Sequence, residues 1–146
     1  MNTTVRNVAF WPSAIPTRRV LICVESLVAL NAYGGAWWGL AGAKDVPPEF
    51  LEGTPFDSYV VPSLFLLVGV GGGMTVAAVT LLLRQRHAAE LSVAAGLVLI
   101  LWITAQVALI VPNGGFSWLQ PTMFAAGLLV TGLGWRLRRR SPGDES

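Results

Sequence analysis

Charged residues are scarce in this chain, and their scarcity excludes most classes of soluble protein. Only 12% of the 146 residues are Asp, Glu, Lys or Arg, and 53% are apolar, whereas a typical soluble domain is roughly 25% charged. A nucleic-acid-binding protein would gather its basic residues into a surface patch, but here they flank apolar segments. The composition therefore predicts an integral membrane protein, with no nucleic-acid partner and no room for a separate soluble domain.

The chain has a single cysteine and a single histidine, which excludes several kinds of site. Cys23 cannot form an internal disulfide, and its place in an apolar run predicts a small buried side chain. His87 cannot supply two axial ligands to a haem, and no cysteine adjoins it to bind zinc. No Ser, Thr or Cys stands beside an evident base for covalent catalysis. We therefore predict no metal and no cofactor, and the sequence favours a protein that is not an enzyme.

Long apolar segments dominate what is present. A helix of about 20 residues crosses the ~30 Å hydrocarbon layer, and segments of this kind cover residues 20–41, 59–83, 91–111 and 119–135. The predicted fold is an all-α, four-transmembrane-helix bundle formed by residues 20–136. Residues 1–19 are predicted as a cytoplasmic or interfacial segment, and residues 137–146 as a basic-to-polar cytoplasmic tail.

The first segment also resembles a secretory signal, because basic residues precede it and the small residues Ala41-Gly42-Ala43 follow it. Signal cores usually hold about 7–15 apolar residues. This segment is longer, and it contains Glu25 and Asn31. A permanent first helix is therefore the favoured interpretation.

Basic residues predict the orientation of the bundle. Of the ten Lys and Arg residues, all except Lys44 lie before the first segment, in the turn at residues 84–90, or after Trp135. Cytoplasmic loops of membrane proteins carry an excess of Lys and Arg. Both termini are therefore predicted to be cytoplasmic, in a multi-pass protein of the bacterial inner membrane.

Small residues recur on helical faces, where they allow helices to pack closely in lipid. The glycine cluster in the second segment has a further interpretation as a bend or hinge, because glycine weakens helix continuity. The predicted packing positions are Ala29, Ala32, Ala36, Gly69, Gly73 and Gly127.

Glu25 is an ionisable residue well inside a predicted span. Acids at such depth are costly and are commonly functional. Stepping by 3.6 residues places Glu25 on the same face as the alanines of the first span, so we expect it to point into the bundle. Three roles remain open: a structural clasp to the basic turn at residues 84–90, a proton or substrate contact, and a carboxylate that faces water.

Amides and aromatic residues gather in the half of the spans opposite the basic turn. One interpretation is ordinary hydrogen bonding between helices, beside an aromatic belt at the membrane interface. The other is a pocket beneath the loop at residues 53–62, apolar with a few convergent polar groups as ligand sites are. The predicted ligand-binding residues are Asn31, Trp37, Phe56, Tyr59, Trp102, Gln106 and Gln120.

Three short motifs carry a resemblance to known proteins. Residues 37–40 read WWGL, residues 51–64 read LEGTPFDSYVVPSL, and residues 117–121, after a glycine-broken span, read SWLQP. This pattern resembles a group of small bacterial four-span membrane proteins of uncharacterised function. The resemblance extends over residues 20–136 and implies the same topology without implying an activity.

Two functions follow as predictions. The first is a non-enzymatic accessory or oligomerising component of a membrane assembly, because small-residue faces are more abundant than a closed four-helix unit requires. Its partners would be membrane lipid and either further copies of the chain or a larger membrane complex. The second is binding or carriage of a lipid or quinone-like molecule in the outer pocket.

Overall fold

The computed structural model describes residues 16–140 of the 146-residue chain. The long helices are α1 (Thr17–Leu40), α2 (Val60–Leu82), α3 (Ala88–Ile110) and α4 (Leu119–Arg140), with short 3₁₀ turns at Pro48–Leu51 and Val111–Asn113. No strand occurs within residues 16–140, so the predicted all-α class is confirmed for that part of the chain. The predicted segment at residues 1–19 and the end of the predicted tail lie largely outside the described residues.

Three helices, α1 to α3, are long and apolar enough to cross a membrane. Helix α4 has 22 residues but is not one of these candidates, because Gln120, Pro121 and Thr122 at its start and the arginines at its end shorten its apolar part. The predicted count of four spans is thus supported for three helices and not for the fourth. Helix α4 also continues to Arg140, where a polar tail was predicted, because arginine is a good helix former and suits a helix C-terminus.

The inner face of α1 is the one that the sequence periodicity indicates. Glu25, Ala29, Ala32, Ala36 and Gly39 are all buried. The side chain of Ser63 on α2 occupies the space where a Cβ at Gly39 would lie, so the two helices approach closely there. Cys23, in contrast, is exposed. The prediction of a buried cysteine was wrong, because Cys23 lies on the face of α1 opposite this buried stripe.

Helix α2 changes its winding part-way along. A π-helical segment, Leu66–Gly72, separates the α-helical parts Val60–Phe65 and Gly73–Leu82. Segments of this kind are rare and are frequent at functional sites. The hydroxyl of Tyr33 on α1 donates a hydrogen bond to the carbonyl oxygen of Gly71 (3.1 Å) and lies 2.6 Å from Oγ1 of Thr75. Tyr33 therefore helps to hold the π-helical segment against α1.

The close contact in the glycine cluster is made by Gly71 rather than by the predicted pair Gly69 and Gly73. A Cβ at Gly71 would lie 2.8 Å from Cε1 of Tyr33, whereas the atoms nearest a Cβ at Gly69 belong to Phe65 of the same helix, and none lies within 4 Å at Gly73. The i, i+4 spacing assumes an unbroken α-helix, and the wider π-helical turn changes which glycine faces α1.

Helices α3 and α4 approach each other through glycines. A Cβ at Gly127 would lie 2.8 Å from Cγ1 of Ile100, and a Cβ at Gly134 would lie 3.1 Å from the backbone nitrogen of Val93. Gly96 of α3 meets Gly127 and Thr131 of α4 in the same way. The small residues of this face are therefore used inside one chain. The largest fully buried apolar side chains of the bundle are Leu21, Val70, Met74, Leu81, Leu99 and Val130.

Candidate ligand cavity

The loop between α1 and α2 is hydrogen-bonded to the turn between α3 and α4. We call these two segments, residues 41–59 and 111–118, the loop end of the bundle. The side-chain amide of Asn113 donates hydrogen bonds to the carbonyl oxygens of Phe50 (3.1 Å) and Glu52 (2.8 Å). The hydroxyl of Tyr59 donates to the carbonyl oxygen of Pro47 (2.9 Å). These bonds hold the loop across the ends of the helices.

Asn113 is a structural residue of the loop end that the sequence did not indicate. In the sequence it is part of an uncharged Pro-Asn-Gly-Gly turn, and two of its partners lie about 60 residues away, in addition to a weak contact of 3.5 Å with the carbonyl oxygen of Leu109. Asparagine in a turn commonly bonds its own neighbouring backbone, so the sequence offers no signal for a partner at this distance.

A cavity of about 570 Å³ lies beneath the loop, within the range of roughly 300–1,000 Å³ that is typical of ligand sites. Its floor includes Val70 and Leu99, and its roof includes Phe50, Phe56 and Phe116. Among the described residues that line it there is no Asp, Glu, Lys, Arg or His. The cavity is therefore apolar, and its polar groups are uncharged.

Most of the predicted ligand-binding residues lie around this one cavity. The predicted residues that line it are Asn31, Phe56, Tyr59, Trp102, Gln106 and Gln120. Trp37 lies elsewhere, with 76% of its surface exposed, and Trp38 lines the cavity in its place. Neighbouring residues of an α-helix point about 100° apart, so the prediction of Trp37 as a wall of the pocket is corrected to Trp38.

The amides that line the cavity are not equivalent. Gln120 serves the local structure, because its Nε2 donates to the carbonyl oxygen of Gly115 (3.2 Å) and its Oε1 accepts from the backbone N–H of Ser117 (3.4 Å). Asn31 makes a weak contact of 3.6 Å from Nδ2 to Sδ of Met123. The Gln106 amide makes no hydrogen bond to a residue in the described part of the chain, so its donor and acceptor groups can serve a ligand.

Trp102 provides a fixed aromatic wall beside Gln106. Its indole ring stacks on Phe65 of α2, with ring centroids 4.9 Å apart and an interplanar angle of 22°. Its Nε1 is buried and has no acceptor among residues 16–140, so the N–H does not open onto the cavity and the ring carbons form the wall. Trp102 and Gln106 are one helical turn apart and therefore lie on the same face of α3.

Glu25 lies outside this cavity, in the interior of the bundle. Its carboxylate oxygens are buried and have no hydrogen-bond partner among the described residues, and the same holds for the hydroxyl of Ser92, which lies beside it. Within residues 16–140 the ion pairs are His87–Glu90 and Arg138–Glu90. The predicted clasp to the basic turn does not form, because Arg84, Arg86 and His87 are exposed while Glu25 lies about two turns inside α1. Burial also excludes the water-facing interpretation.

The described residues do not gather into a metal centre. Among residues 16–140, no three His, Cys, Asp or Glu side chains come close enough to hold an ion together. The acidic residues of the α1–α2 loop, Asp45, Glu49, Glu52 and Asp57, are exposed. The cavity itself therefore offers uncharged hydrogen-bonding groups in an apolar enclosure.

Comparisons with known proteins do not assign the chain to a family. The chain matches no protein-family model, and the searches of curated proteins and of solved structures returned no match either. The resemblance to small four-span membrane proteins therefore rests on its motifs alone. Function has to be argued from the geometry of the cavity.

Proposed function

We propose that the protein binds an uncharged amphipathic molecule, of a lipid or quinone-like type, in the loop-end cavity. The observation that carries this proposal is an apolar cavity of about 570 Å³ with no charged side chain among its described lining residues, beside a half-buried Gln106 amide that makes no hydrogen bond to the described part of the chain. A charged ligand would lose its hydration without gaining a counter-charge, at a cost of several kcal/mol. A carbonyl-bearing ring or ester would meet the Gln106 amide, and its apolar remainder would meet the cavity floor.

Gln106 is the orienting group in this proposal, because its amide can donate or accept. Trp102, one turn earlier on α3, adds a flat apolar surface. Its stacking on Phe65 fixes the plane of the indole before a ligand arrives. Preorganised groups of this kind increase affinity because less conformational entropy is lost on binding.

The proposal is tested by ligand binding to the purified protein in detergent, with a short-chain benzoquinone and a neutral diacylglycerol as probes. Gln106→Leu keeps a side chain of similar size but removes the amide, and losing one hydrogen bond of about 1 kcal/mol raises the Kd roughly fivefold. Gln85→Leu is the matched control, because Gln85 is exposed and is not part of the cavity wall. Absence of binding by both probes, or equal weakening in the two variants, would contradict the proposal.

We also infer that α4 crosses the membrane with the other helices and that both termini are cytoplasmic, in a multi-pass protein of the cell membrane. The support is the distribution of charge: within residues 16–140, Lys44 is the single Lys or Arg at the loop end, and Arg18, Arg84 and Arg140 lie together at the opposite end. Cytoplasmic ends are the basic ones. On this inference the cavity lies in the outer half of the bundle.

Cysteine accessibility tests this topology. In a Cys23→Ala background, a cysteine at Ser141 should not react with a membrane-impermeant thiol reagent in intact cells, and one at Asp45, in the exposed loop, should react. The reverse pattern would refute the orientation. Labelling of both positions would place residues 45 and 141 on the same side of the membrane, which would mean that α4 does not cross it.

A second candidate function is the accessory or oligomerising role. The observation in its favour is the outer face of α4: Gly132 has no atom within 4 Å of where its Cβ would lie, and Leu128 and Leu129 are 53% and 45% exposed. Small residues on such a face allow a second helix to approach closely. If this face packs against a partner, Gly132→Leu should lower the mass of the purified complex. A monomer in mild detergent and in native membranes, without a co-purifying protein, would exclude this role.

A further inference from the structure

A second pocket, of about 350 Å³, lies at the end of the bundle opposite the cavity, which we call the basic end. The start of α1, the turn between α2 and α3, and the last turn of α4 enclose it. Its lining residues are Pro16, Thr17, Arg18, Arg19, Arg84, Leu137 and Arg140. Arginines from separate parts of the chain thus converge on one concave site.

These arginines have no counter-charge among the residues that the structure describes. The ion pairs within residues 16–140 involve only Glu90 as the acid, with His87 and Arg138 as its partners. The Nε of Arg18 is also buried without a hydrogen-bond partner in that part of the chain. Like charges gathered in one pocket repel each other, so an anion would relieve the repulsion.

The start of α1 adds to the same preference. No side chain caps this helix, and its first turn contains no acidic residue. Instead Arg18 and Arg19 lie there, although positive charge at a helix N-terminus opposes the helix dipole. Unpaired N–H groups and a positive dipole end favour a bound phosphate or carboxylate.

The backbone at Arg84 provides an independent observation. Helix α2 ends in a Schellman motif, in which Arg84 N–H donates to the carbonyl oxygen of Leu81 (3.2 Å) and Gln85 N–H to that of Thr80 (3.0 Å). Helix α1 ends in the same motif with Gly42, at a φ of +101°. Glycine is the usual residue at this position, yet α2 has Arg84 there, at a φ of +52°.

A side chain at such a φ is strained, and strain of this kind is commonly retained at functional sites. The motif alone gives no reason for an arginine, since Gly42 closes α1 without one. The pocket supplies the reason, because the Arg84 side chain is part of its lining.

We propose that this pocket binds the phosphate group of an anionic membrane lipid. Guanidinium groups hold phosphate through paired, charge-assisted hydrogen bonds. The pocket lies at the ends of helices long and apolar enough to cross a membrane, at the depth where lipid headgroups lie, and basic pockets between such helices bind acidic headgroups. Pro16 and Leu137 add apolar contacts that a lipid glycerol backbone can use and a free phosphate ion cannot. The loop-end cavity has no part in this proposal.

Thermal unfolding in nanodiscs tests it, with discs of phosphatidylcholine alone or mixed with phosphatidylglycerol. A lipid that binds only the folded protein raises the melting temperature by mass action, so phosphatidylglycerol should raise it. Arg84→Gly should weaken lipid binding roughly tenfold to a hundredfold, as expected for loss of charged hydrogen bonds. Because glycine suits the positive φ, this variant should melt no lower than the native protein in phosphatidylcholine alone.

The control is Arg86→Gln, which removes the same charge from the same turn at an exposed residue outside the pocket lining. It should keep the full phosphatidylglycerol shift. Inorganic phosphate, added to phosphatidylcholine discs, should give a much smaller shift than the lipid. Absence of a phosphatidylglycerol shift, equal loss in Arg84→Gly and Arg86→Gln, or an equal shift with inorganic phosphate would each overturn the proposal.

Discussion

Substitutions in the glycine cluster of α2 should have opposite effects at two positions that lie close together in sequence. At Gly71, an alanine Cβ would lie 2.8 Å from Cε1 and 3.1 Å from Cδ1 of Tyr33. The ring cannot move freely, because its hydroxyl is hydrogen-bonded to the carbonyl of Gly71 and to Thr75. Overpacking costs about 1–3 kcal/mol, and loss of these bonds adds about 1 kcal/mol. Alanine regains about 0.5–1 kcal/mol of helix propensity, so we expect Gly71→Ala to lower the free energy of unfolding by about 1–3.5 kcal/mol.

Gly73 provides the matched comparison. Nothing lies within 4 Å of a Cβ at this position, and it begins the regular α-helical part Gly73–Leu82. Alanine is favoured over glycine in a helix by about 0.5–1 kcal/mol, so Gly73→Ala should be neutral or stabilising. Tyr33→Phe should cost about 1 kcal/mol, because it removes the hydrogen bonds and keeps the ring.

The measurement is reversible unfolding in mixed micelles, followed by circular dichroism. In Gly71→Ala, the α2 amides next to Tyr33 should also exchange hydrogen faster, because the helix opens locally there more often. If Gly71→Ala is neutral, or if Gly73→Ala destabilises the protein equally, then the proposed contact between Tyr33 and the π-helical segment is wrong.

Further substitutions test the loop end and the interior. Asn113→Ala removes the hydrogen bonds to Phe50 and Glu52. It should lower the free energy of unfolding by about 1–2 kcal/mol and make proteolysis of the α1–α2 loop faster. Asn31→Ala, at an exposed residue, should leave the rate of proteolysis unchanged. Glu25→Leu should leave the free energy of unfolding unchanged or raise it, because it removes a buried group without a hydrogen-bond partner among the described residues. A decrease of more than about 1 kcal/mol would show that Glu25 has a partner or a role. Burial, with the charge of Glu49, raises the pKa of Tyr59 above 10.0. Folding therefore favours the neutral form of Tyr59. The native protein should be stabilised by this residue below about pH 10 and lose that stabilisation as the hydroxyl ionises above it. The free energy of unfolding of Tyr59→Phe should lack this dependence on pH.

Features that repeat along one helix could be predicted from the sequence. The stripe from Glu25 to Gly39 was predicted to face inward from its 3.6-residue spacing alone, and its residues are buried. Burial of this kind follows from local periodicity, which any α-helix must obey. The apolar length of α1 to α3 was predictable for the same reason, since it depends only on composition within each segment.

Features that depend on how one helix is rotated against another could not be predicted. Trp37 and Trp38 are equivalent in sequence, and only the packed bundle shows which faces the cavity. The contact at Gly71 depends on the π-helical segment of α2, which has no signature in the order of its glycines. Likewise the pairing of Asn113 with Phe50 and Glu52 joins loops that are distant in sequence. Each of these features depends on how helices and loops pack against one another, which the local sequence pattern does not specify.

The π-helical segment also divides α2 into parts with independent rotational phase. On the loop-end side, Ser63 faces Gly39 and the cavity, whereas residues beyond the segment, such as Met74 and Leu81, fill the core. Regular α-helical winding of all seven residues of this segment would rotate one part by roughly 100° relative to the other, because an α-helical turn holds fewer residues than a π-helical turn. The core and the cavity wall could then not both be satisfied. Deleting one residue within Leu66–Gly72 should instead let the segment rewind as an α-helix with both parts close to their present phase, so the core and the cavity wall should both survive that deletion.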